Sequence, residues 1–578
     1  MHKNPGKSGF VFSIGLTGHR DIRDESIADL RATLRKELVA IKERFVTLPV
    51  ELVTGLAEGA DTLATEVALE IGLPVRAVLP MPRSLYETDF SGEAHANLLK
   101  LINDSRITVD ELPLPPGMLD SDFQDEESRT VCYEQLMDYL VRRSNVLIAL
   151  WDGETNGRTG GTSDVLVRYL SSTESTASST GAFEVIDDAD LAVDQSDLVV
   201  WVKTTRQSSE NRSEKTEISY LVQAGANGLV CKLAQIPVAI TDRWGEFDQY
   251  AYERNSSVGS DVTVYPISTP QDASVDTITA LIDEEFVRAD QLAMANQSQS
   301  DRLFKLFGLM AATMGLTFLL YAKIAALSWF LITYVMLFLG GFILFSVSAK
   351  RGWFGRHLAF RALAEALRIR FFLVLSGGGD AGPTRRMFQL TGIDRFKGFG
   401  WIGDAIRCTE PLTYESDVPL KERVSSTSER WIKDQAAYFS RKHHHLHHQH
   451  EQLEIVKKGL FFASFIGAVT LLFFKKTLYG FHISDIDGKT LVVFFMGLLP
   501  LWLAIWEIYQ TKMATRELFW QYANQGELFE LAERRLAKIS DPIHAQRVIV
   551  ELAERSLMDV IQWSTHRYHR EHEPPSAG

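Results

Sequence analysis

The first part of the chain alternates short apolar runs with amphipathic stretches. The apolar runs Val11–Leu16, Val50–Thr54 and Pro74–Leu79 have the length of buried strands. Between the first two runs, from Ile27 to Phe45, apolar residues recur every three or four positions, which is the period of one helix face. Strand, turn and helix in repetition is typical of a parallel sheet with helices on both faces.

The same pattern returns further along the chain. A helix, a strand and a second helix are predicted, in that order, at Glu126–Arg143, Val146–Leu150 and Ser163–Leu170. Residues 171–180 are rich in serine and threonine and are interpreted as a loop. Three further strands and one helix are predicted beyond it, the strands at Leu198–Val202, Pro237–Ile240 and Val262–Ile267 and the helix near Glu214–Ala224. We therefore expect an α/β, Rossmann-like domain over residues 1–290, with a core at 9–170 and an extension at 181–270.

Four long apolar runs follow in two pairs. The first pair lies at about 306–322 and 327–349, and the second at about 459–474 and 490–508. A helix needs roughly 20 apolar residues to cross a bilayer. The second pair is slightly short of this length, so buried core helices remain the alternative there. We expect residues 291–578 to form an all-α transmembrane domain of two helical hairpins, with four spans.

Basic residues predict the orientation of these hairpins. They lie before the first run and after the second run of each pair, at Arg302, Lys305, Lys350, Arg351, Arg356, Lys457, Lys458, Lys512 and Arg516. Such flanks are typical of the cytoplasmic side. Lys475, Lys476 and Lys489 lie in the second outer loop and weaken the asymmetry without reversing it. An even number of spans then places both termini in the cytoplasm.

Charge and cysteine content narrow the function classes. The net charge of −14 argues against nucleic acid as a partner, because phosphate backbones need a basic face. Three cysteines far apart give neither a disulfide framework nor metal-ligand spacing. The histidine-rich run His443–His450 lacks an accompanying cysteine or carboxylate cluster, so a weakly cationic helix face is favoured over a metal site. We predict no metal ligand.

Glycine-rich turns follow three of the predicted strands. They contain Thr17-Gly18-His19-Arg20, Gly55 to Asp61, and Asp152 followed by Gly160-Gly161-Thr162. The carboxyl ends of parallel strands meet at one sheet edge, and each of these turns precedes a helix whose free N–H groups suit phosphate. Simpler interpretations remain open: a glycine often only lets the chain turn, and Asp61 is suited to cap a helix as well as to bind ribose. His19 is a phosphate or ribose ligand, or alternatively a cap or part of an ion pair.

Together these motifs resemble the SLOG superfamily over about residues 9 to 170. The resemblance rests on Ile14-Gly15-Leu16-Thr17-Gly18-His19-Arg20, on Val53 to Asp61, and on Trp151-Asp152-Gly153 with Gly160-Gly161-Thr162. That superfamily includes LOG-type nucleotide phosphoribohydrolases and the nucleotide-sensing domains of bacterial conflict systems. LOG enzymes carry a longer glycine motif followed by a catalytic glutamate, whereas this chain has only Asp164 at that point. The resemblance therefore implies binding without turnover, with no catalytic residue and no cofactor.

The membrane half resembles SLATT domains, which are two-span effectors that associate with SLOG sensors. The resemblance rests on the hairpin layout and on scattered aromatic residues around Trp431 and Trp563. It implies a multi-pass sensor–effector of the bacterial inner membrane. Its implied partners are an ADP-ribose-like or cyclic nucleotide messenger, the lipid bilayer, further copies of the chain and a nucleotide-synthesising enzyme encoded nearby. The implied outcome is permeabilisation of the membrane in anti-phage defence; the alternative is a membrane-tethered hydrolase of nucleotide N-glycosidic bonds.

The predicted ligand-binding residues all lie in the turns after the strands or at the start of the next helix. They are Thr17, Gly18, His19, Arg20, Gly55, Glu58, Gly59, Asp61, Pro80, Asp152, Gly160, Gly161 and Thr162.

Overall fold

The structure is a computed structural model of the full chain. It describes residues 9–115, 126–154, 161–170, 184–186, 197–208, 216–224, 229–256, 264–268, 276–378, 398–414, 416–483, 486–512 and 515–571. By packing, the described chain divides into two compact units. The first contains residues up to Ala289 together with Leu363–Pro419, and the second contains Asp290–Ala362 together with the residues from Leu420 onward.

The first unit is built on a nine-stranded mixed sheet. Its strands are β1 (Phe12–Gly18), β2 (Val50–Thr54), β3 (Val75–Leu79), β4 (Ile107–Glu111), β5 (Val146–Trp151), β6 (Glu184–Ile186), β7 (Val199–Lys203), β8 (Ile218–Gln223) and β9 (Leu229–Leu233). Its helices are α1 (Ile27–Lys42), α2 (Ala60–Glu70), α3 (Arg83–Tyr86), α4 (Gly92–Ile102), α5 (Glu126–Arg143), α6 (Thr162–Leu170) and α7 (Val238–Ser256).

The strand order places β1 in the middle of the sheet. The order is β4-β3-β2-β1-β5-β7-β8-β9-β6, and every neighbouring pair from β4 to β7 is parallel. The chain moves outward from β1 through β2, β3 and β4, and then returns to add β5 on the other side of β1. In such a sheet the carboxyl ends of the two strands at the reversal border a crevice that commonly holds ligands.

The extension of the sheet differs from the predicted parallel arrangement. β7 and β8 are antiparallel, as are β8 and β9, while β6 is parallel to β9. The helix predicted near Glu214–Ala224 is wrong, because its described part contains strand β8, which is rich in the β-branched and aromatic residues Ile218, Tyr220 and Val222.

Two predicted strands of the extension are also not present as expected. The strand at Pro237–Ile240 is wrong, because Val238 begins α7. Pro237 lacks the N–H that a helix leaves unpaired at its start, and its carbonyl accepts the amide of Ile240 at 3.1 Å. Of the strand predicted at Val262–Ile267, the described residues Val264–Ser268 contain no strand.

The remaining helices, from residue 276 onward, are divided between the two units. They are α8 (Asp276–Lys323), α9 (Ser328–Arg351), α10 (Trp353–Leu375), α11 (Trp401–Cys408), α12 (Leu420–Thr427), α13 (Asp434–Gly480), α14 (Gly488–Lys512), α15 (Thr515–Leu536) and α16 (Pro542–Glu571). A short two-stranded ribbon, β10 (His482–Ile483) and β11 (Ile486–Asp487), joins α13 to α14. The sequence predicts a transmembrane domain over residues 291–578. In the structure, Leu363–Pro419 belongs to the first unit.

Among the residues that the structure describes, four helical stretches are long and apolar enough to cross a membrane. They are Ile278–Lys323, Ser328–Leu375, Leu420–Gly480 and Gly488–Thr511, and each overlaps one of the four predicted apolar runs. In α9 no residue is buried, and large side chains such as Phe342 and Ile343 are more than half exposed. Exposed apolar surface of this extent is typical of contact with lipid or with another protein.

Small residues let these helices pack closely. A Cβ on Gly315 of α8 would overlap the side chain of Leu501 of α14, and one on Gly497 of α14 would lie 3.3 Å from Leu319 of α8. Gly467 of α13 has the same relation to Met496 of α14, at 3.0 Å. These glycines therefore serve helix packing within the unit, which is how small residues commonly act in membrane helices.

Cysteine labelling tests whether α9 lies in lipid. Phe342→Cys in native membranes should resist a charged maleimide, because the hydrocarbon region excludes charged reagents. Val238→Cys, at an exposed position at the start of α7, should react, and the three native cysteines are buried. Both variants should react after solubilisation and denaturation. Rapid labelling of Phe342→Cys in intact membranes would contradict the assignment.

Candidate functional site

The ends of β1, β2 and β5 lie next to one another at the carboxyl edge of the sheet. Gly18, at the end of β1, is paired with Leu150 near the end of β5. The amide of His19 donates to the carbonyl of Leu150 at 3.2 Å, and the carbonyl of His19 accepts the amide of Ala60, the first residue of α2, at 3.1 Å. The turns after β1 and β2 are thus hydrogen-bonded to one another beside the end of β5.

The turn between β2 and α2 is organised by the buried carboxylate of Asp61. One carboxylate oxygen accepts the hydroxyl of Thr54 at 2.9 Å, the amide of Gly55 at 3.1 Å and the amide of Ala57 at 3.3 Å. Burial raises the pKa of Asp61 to about 6, although these three hydrogen bonds favour the charged form. Leu56 in the same turn has a positive φ of 55° and is buried, so this turn holds a residue in a costly conformation.

The glycines of these turns provide room for the protein's own atoms. A Cβ on Gly18 would overlap the Cβ of Ala60 and would lie 2.9 Å from the Cβ of Leu150. Gly59 has a φ of +83°, which favours glycine, and a Cβ there would lie 2.7 Å from the carbonyl oxygen of His19. A Cβ on Gly55 would lie 2.8 Å from a methyl group of Leu136 on α5. Close packing of β1, α2 and α5 therefore explains all three glycines.

His19 is buried and bridges the turns after β1 and β5. Its Nδ1 lies 2.7 Å from a guanidinium nitrogen of Arg206, and its Nε2 lies 3.1 Å from a carboxylate oxygen of Asp152. Arginine can only donate, so Nδ1 faces a donor, and the backbone amide of Asp152 donates to Nε2 at 3.1 Å. Burial lowers the pKa of His19, the nearby Arg206 adds to this effect and Asp152 opposes it. His19 is only 5% exposed. Its ring contacts Arg206 and Asp152, which is the kind of contact expected if His19 belongs to an ion-pair network and does not touch a ligand.

Arg20 is the exposed cation of this edge. Its guanidinium lies 5.3 Å from the ring centre of Tyr133 on α5, a cation–π contact that holds the charge in place while leaving it open to solvent. Tyr133 in turn donates its hydroxyl to Asp89 at 2.6 Å, and burial raises the pKa of Tyr133 to about 12. Tyr86 is fully buried beside it and donates its hydroxyl to the carbonyl of Gly55 at 2.9 Å.

The remaining predicted residues lie at varied distances from solvent. Thr17 and Pro80 are buried, Pro80 directly after β3, and Glu58 is exposed between β2 and α2. Gly161 and Thr162 are half-buried at the start of α6, where the carbonyl of Gly161 accepts the amides of Asp164 and Val165. Gly160 lies outside the described residues.

Sequence reasoning missed two side chains of this edge. Arg206 follows β7, a strand that was predicted, so its place at the carboxyl edge followed from the pattern even though its pairing with His19 did not. Its guanidinium also lies 3.0 Å from the second carboxylate oxygen of Asp152. Tyr133 lies within a helix, and no local pattern indicates that this helix faces the turn after β1.

The described residues contain no group of three or more histidine, cysteine or acidic side chains arranged to hold a metal ion. In the histidine-rich run, which lies on α13, the ring of His443 packs against Phe519 of α15 with centres 4.5 Å apart. Comparison of the chain with protein-family models, with curated proteins and with solved structures found no match.

The site thus combines one exposed cation with a helix start that has no side-chain cap. Gly59, the residue before α2, supplies no side-chain cap, but Asp61 places a carboxylate in the first turn, and the carbonyls of His19 and Ala57 accept the amides of Ala60 and Thr62. Arg20 lies at the same turn, since its carbonyl approaches Gly59. The exposed guanidinium of Arg20 is therefore the group of this turn that favours an anion.

Filling the space at Gly18 should destabilise the first unit. We expect Gly18→Val to lower the free energy of unfolding by about 1–3 kcal/mol, because the new side chain would overlap Ala60 and crowd Leu150. Denaturant unfolding of the full-length protein in detergent measures this. Gly245→Ala on α7, where no atom lies within 4 Å of the added Cβ, is the matched control and should not destabilise. Equal stability of Gly18→Val and wild type would contradict the close packing.

The raised pKa of Asp61 predicts a pH-dependent stability. A carboxyl group with a folded pKa of about 6, against an ordinary value of 3.8, stabilises the fold when protonated, and that contribution is lost as pH rises from about 4 through 6. Relative to Asp61→Asn, the wild type should therefore gain roughly 1–3 kcal/mol between pH 7.5 and pH 4.5. His19 is present in both proteins, so its opposite pH dependence cancels. A difference independent of pH would show that the carboxylate is not penalised by burial.

Proposed function

We propose that the chain is a membrane sensor–effector that binds a nucleotide-derived messenger at the carboxyl edge of its sheet. The messenger is of the ADP-ribose or cyclic-nucleotide class. Binding rearranges an oligomer of the chain and permeabilises the bacterial inner membrane, as the SLOG–SLATT resemblance implies for anti-phage defence.

One observation carries the ligand half of this proposal. Arg20 presents an exposed guanidinium at the point where the strand order reverses between β1 and β5. Fixed cations and helix starts bind phosphate, and open sheets place ligands at this reversal. Asp152 and Glu58 border the same edge and offer carboxylate acceptors for ribose hydroxyls.

The four apolar helical stretches support the membrane half of the proposal. The apolar surface of α9, in which no residue is buried, suits both lipid and a second copy of the chain. A ligand shifts an equilibrium only between states that it binds differently, so the messenger must prefer the arrangement of subunits that leaks.

Removing the exposed cation should weaken phosphate binding. We expect Arg20→Gln to reduce ADP-ribose affinity by about tenfold or more, because it deletes a charge-assisted contact worth roughly 1.5–3 kcal/mol. Isothermal titration with the full-length protein measures the affinity, and dye release from liposomes containing the protein measures the response. Arg106→Gln, at an exposed arginine that pairs with Asp104 before β4, is the matched control and should bind and respond like wild type.

Three results bear on the two halves separately. Binding without dye release at saturating ADP-ribose would overturn the permeabilising role. No binding of ADP-ribose, AMP or cyclic AMP would overturn the sensing role. Equal loss of affinity in Arg106→Gln would show that the effect of Arg20 is one of general charge.

A second candidate function is hydrolysis of a nucleotide N-glycosidic bond. The observation that favours it is the buried Asp61, whose pKa of about 6 suits a general acid near neutral pH. Adenine released from AMP by wild type but not by Asp61→Asn would decide for this function, and unchanged AMP after prolonged incubation would decide against it.

A further inference from the structure

Helix α5 contacts the candidate site with residues of its middle part. Tyr133 lies under the guanidinium of Arg20, and Leu136 lies against the space above Gly55 in the turn after β2. Leu136, Tyr139 and Leu140 of α5 pack with Val53 and Val78 in one buried cluster. Two of the turns that form the candidate site therefore rest on one side of α5.

The last residues of α5 hold a different part of the first unit. Arg143 is fully buried and donates to the carboxylate of Glu51 at 3.1 Å and to the carbonyl of Arg407, on α11, at 3.1 Å. Arg142 donates through Nε to the carboxylate of Glu410 at 2.9 Å. The end of α5 is thus tied to the segment that contains α11 and the two residues after it.

Glu410 connects the end of α5 to α10. It is buried, and one of its oxygens accepts Arg142 and the hydroxyl of Tyr414, the latter at 2.7 Å. Its other oxygen pairs with Arg370 of α10. Arg142 and Arg370, from two helices far apart in sequence, therefore share one buried carboxylate, and α10 is the helix that follows the second apolar stretch α9 in the chain.

Buried charges of this kind do not tolerate gradual displacement. Separating Arg370 from Glu410 leaves a buried guanidinium without its carboxylate, which costs several kcal/mol, and separating the partly exposed Arg142 removes the contact between α5 and Glu410. A helix is stiff over the distance of about 15 Å between Tyr133 and the end of α5. A shift of α5 at the site end must therefore be followed by Glu410 and Arg370, or break one of these pairs.

We propose that α5 transmits the state of the candidate site to α10 through the shared carboxylate of Glu410. The biological role of this coupling rests on the proposed function, in which the candidate site binds a messenger. The connection itself is a property of the fold and is tested without any ligand.

The test is amide hydrogen exchange of the full-length protein in detergent. Gly55→Ala presses on Leu136 from the site side, and Tyr133→Ala removes the ring beneath Arg20. Each should change exchange in residues 363–375 of α10 by at least about threefold, the size expected of coupling between distant sites. Gly245→Ala, which adds a methyl group in open space on α7, should leave these residues unchanged.

Arg142→Met then tests the route. It removes the link from α5 while Glu410 keeps Arg370 and Tyr414 as partners, so the fold should persist. In this background the response of residues 363–375 to Gly55→Ala and Tyr133→Ala should be reduced, because only Arg143 still ties α5 to the segment before Glu410, whereas the response of α5 itself should remain.

Two outcomes would overturn the proposal. The first is unchanged exchange in residues 363–375 in both site-side variants. The second is a response that persists in full in the Arg142→Met background, which would place the connection elsewhere. Because no nucleotide is used, neither outcome depends on whether ADP-ribose binds, and failure of the titration described for Arg20 would leave this result standing.

Discussion

The close approach of α2 to the end of β1 is the constraint on which the candidate site depends. Gly18 has no side chain where Ala60 needs space, and Gly59 adopts a positive φ so that α2 begins against the carbonyls of His19 and Arg20. The carboxylate of Asp61 then satisfies the amides of the turn that this approach buries. Without that contact, Arg20 and the start of α2 would not share one turn.

Charge is used in two ways in the first unit. At the carboxyl edge, Arg20 is exposed, and His19, Asp152 and Arg206 form a partly buried network beside it. At the far end of α5, the buried Arg143 pairs with Glu51, and the buried Glu410 pairs with the partly exposed Arg142. An exposed charge can serve a ligand, whereas a buried pair gives little net stability but fixes geometry. α5 lies between the two, which makes it the element best placed to relate them.

Much of this arrangement follows from the sequence, and the part that does not has physical reasons. Apolar periodicity predicted β1, β2, β3, β5, α5 and the four apolar helices, because each buries or exposes a continuous apolar face. The predictions from periodicity were wrong at Ile218–Gln223 and at the start of Val238–Ser256, where short runs of apolar and polar residues fit both the helical and the strand period. The turns at the sheet edge were predicted, but the use of Gly18 for packing was not, since a glycine's neighbour is set by tertiary structure. The pairing of Arg142 with Glu410 joins residues far apart in the chain, and no local pattern encodes it.

Photoaffinity mapping shows where on the chain an ADP-ribose derivative binds. The full-length protein is irradiated with an azido-adenine derivative of ADP-ribose, and the modified peptides are identified by mass spectrometry. The account predicts modification within the turns after β1, β2 and β5, that is residues 17–20, 55–61 and 152–154, and its loss when unmodified ADP-ribose competes. Competed modification confined to other parts of the chain would contradict a messenger site at this edge of the sheet.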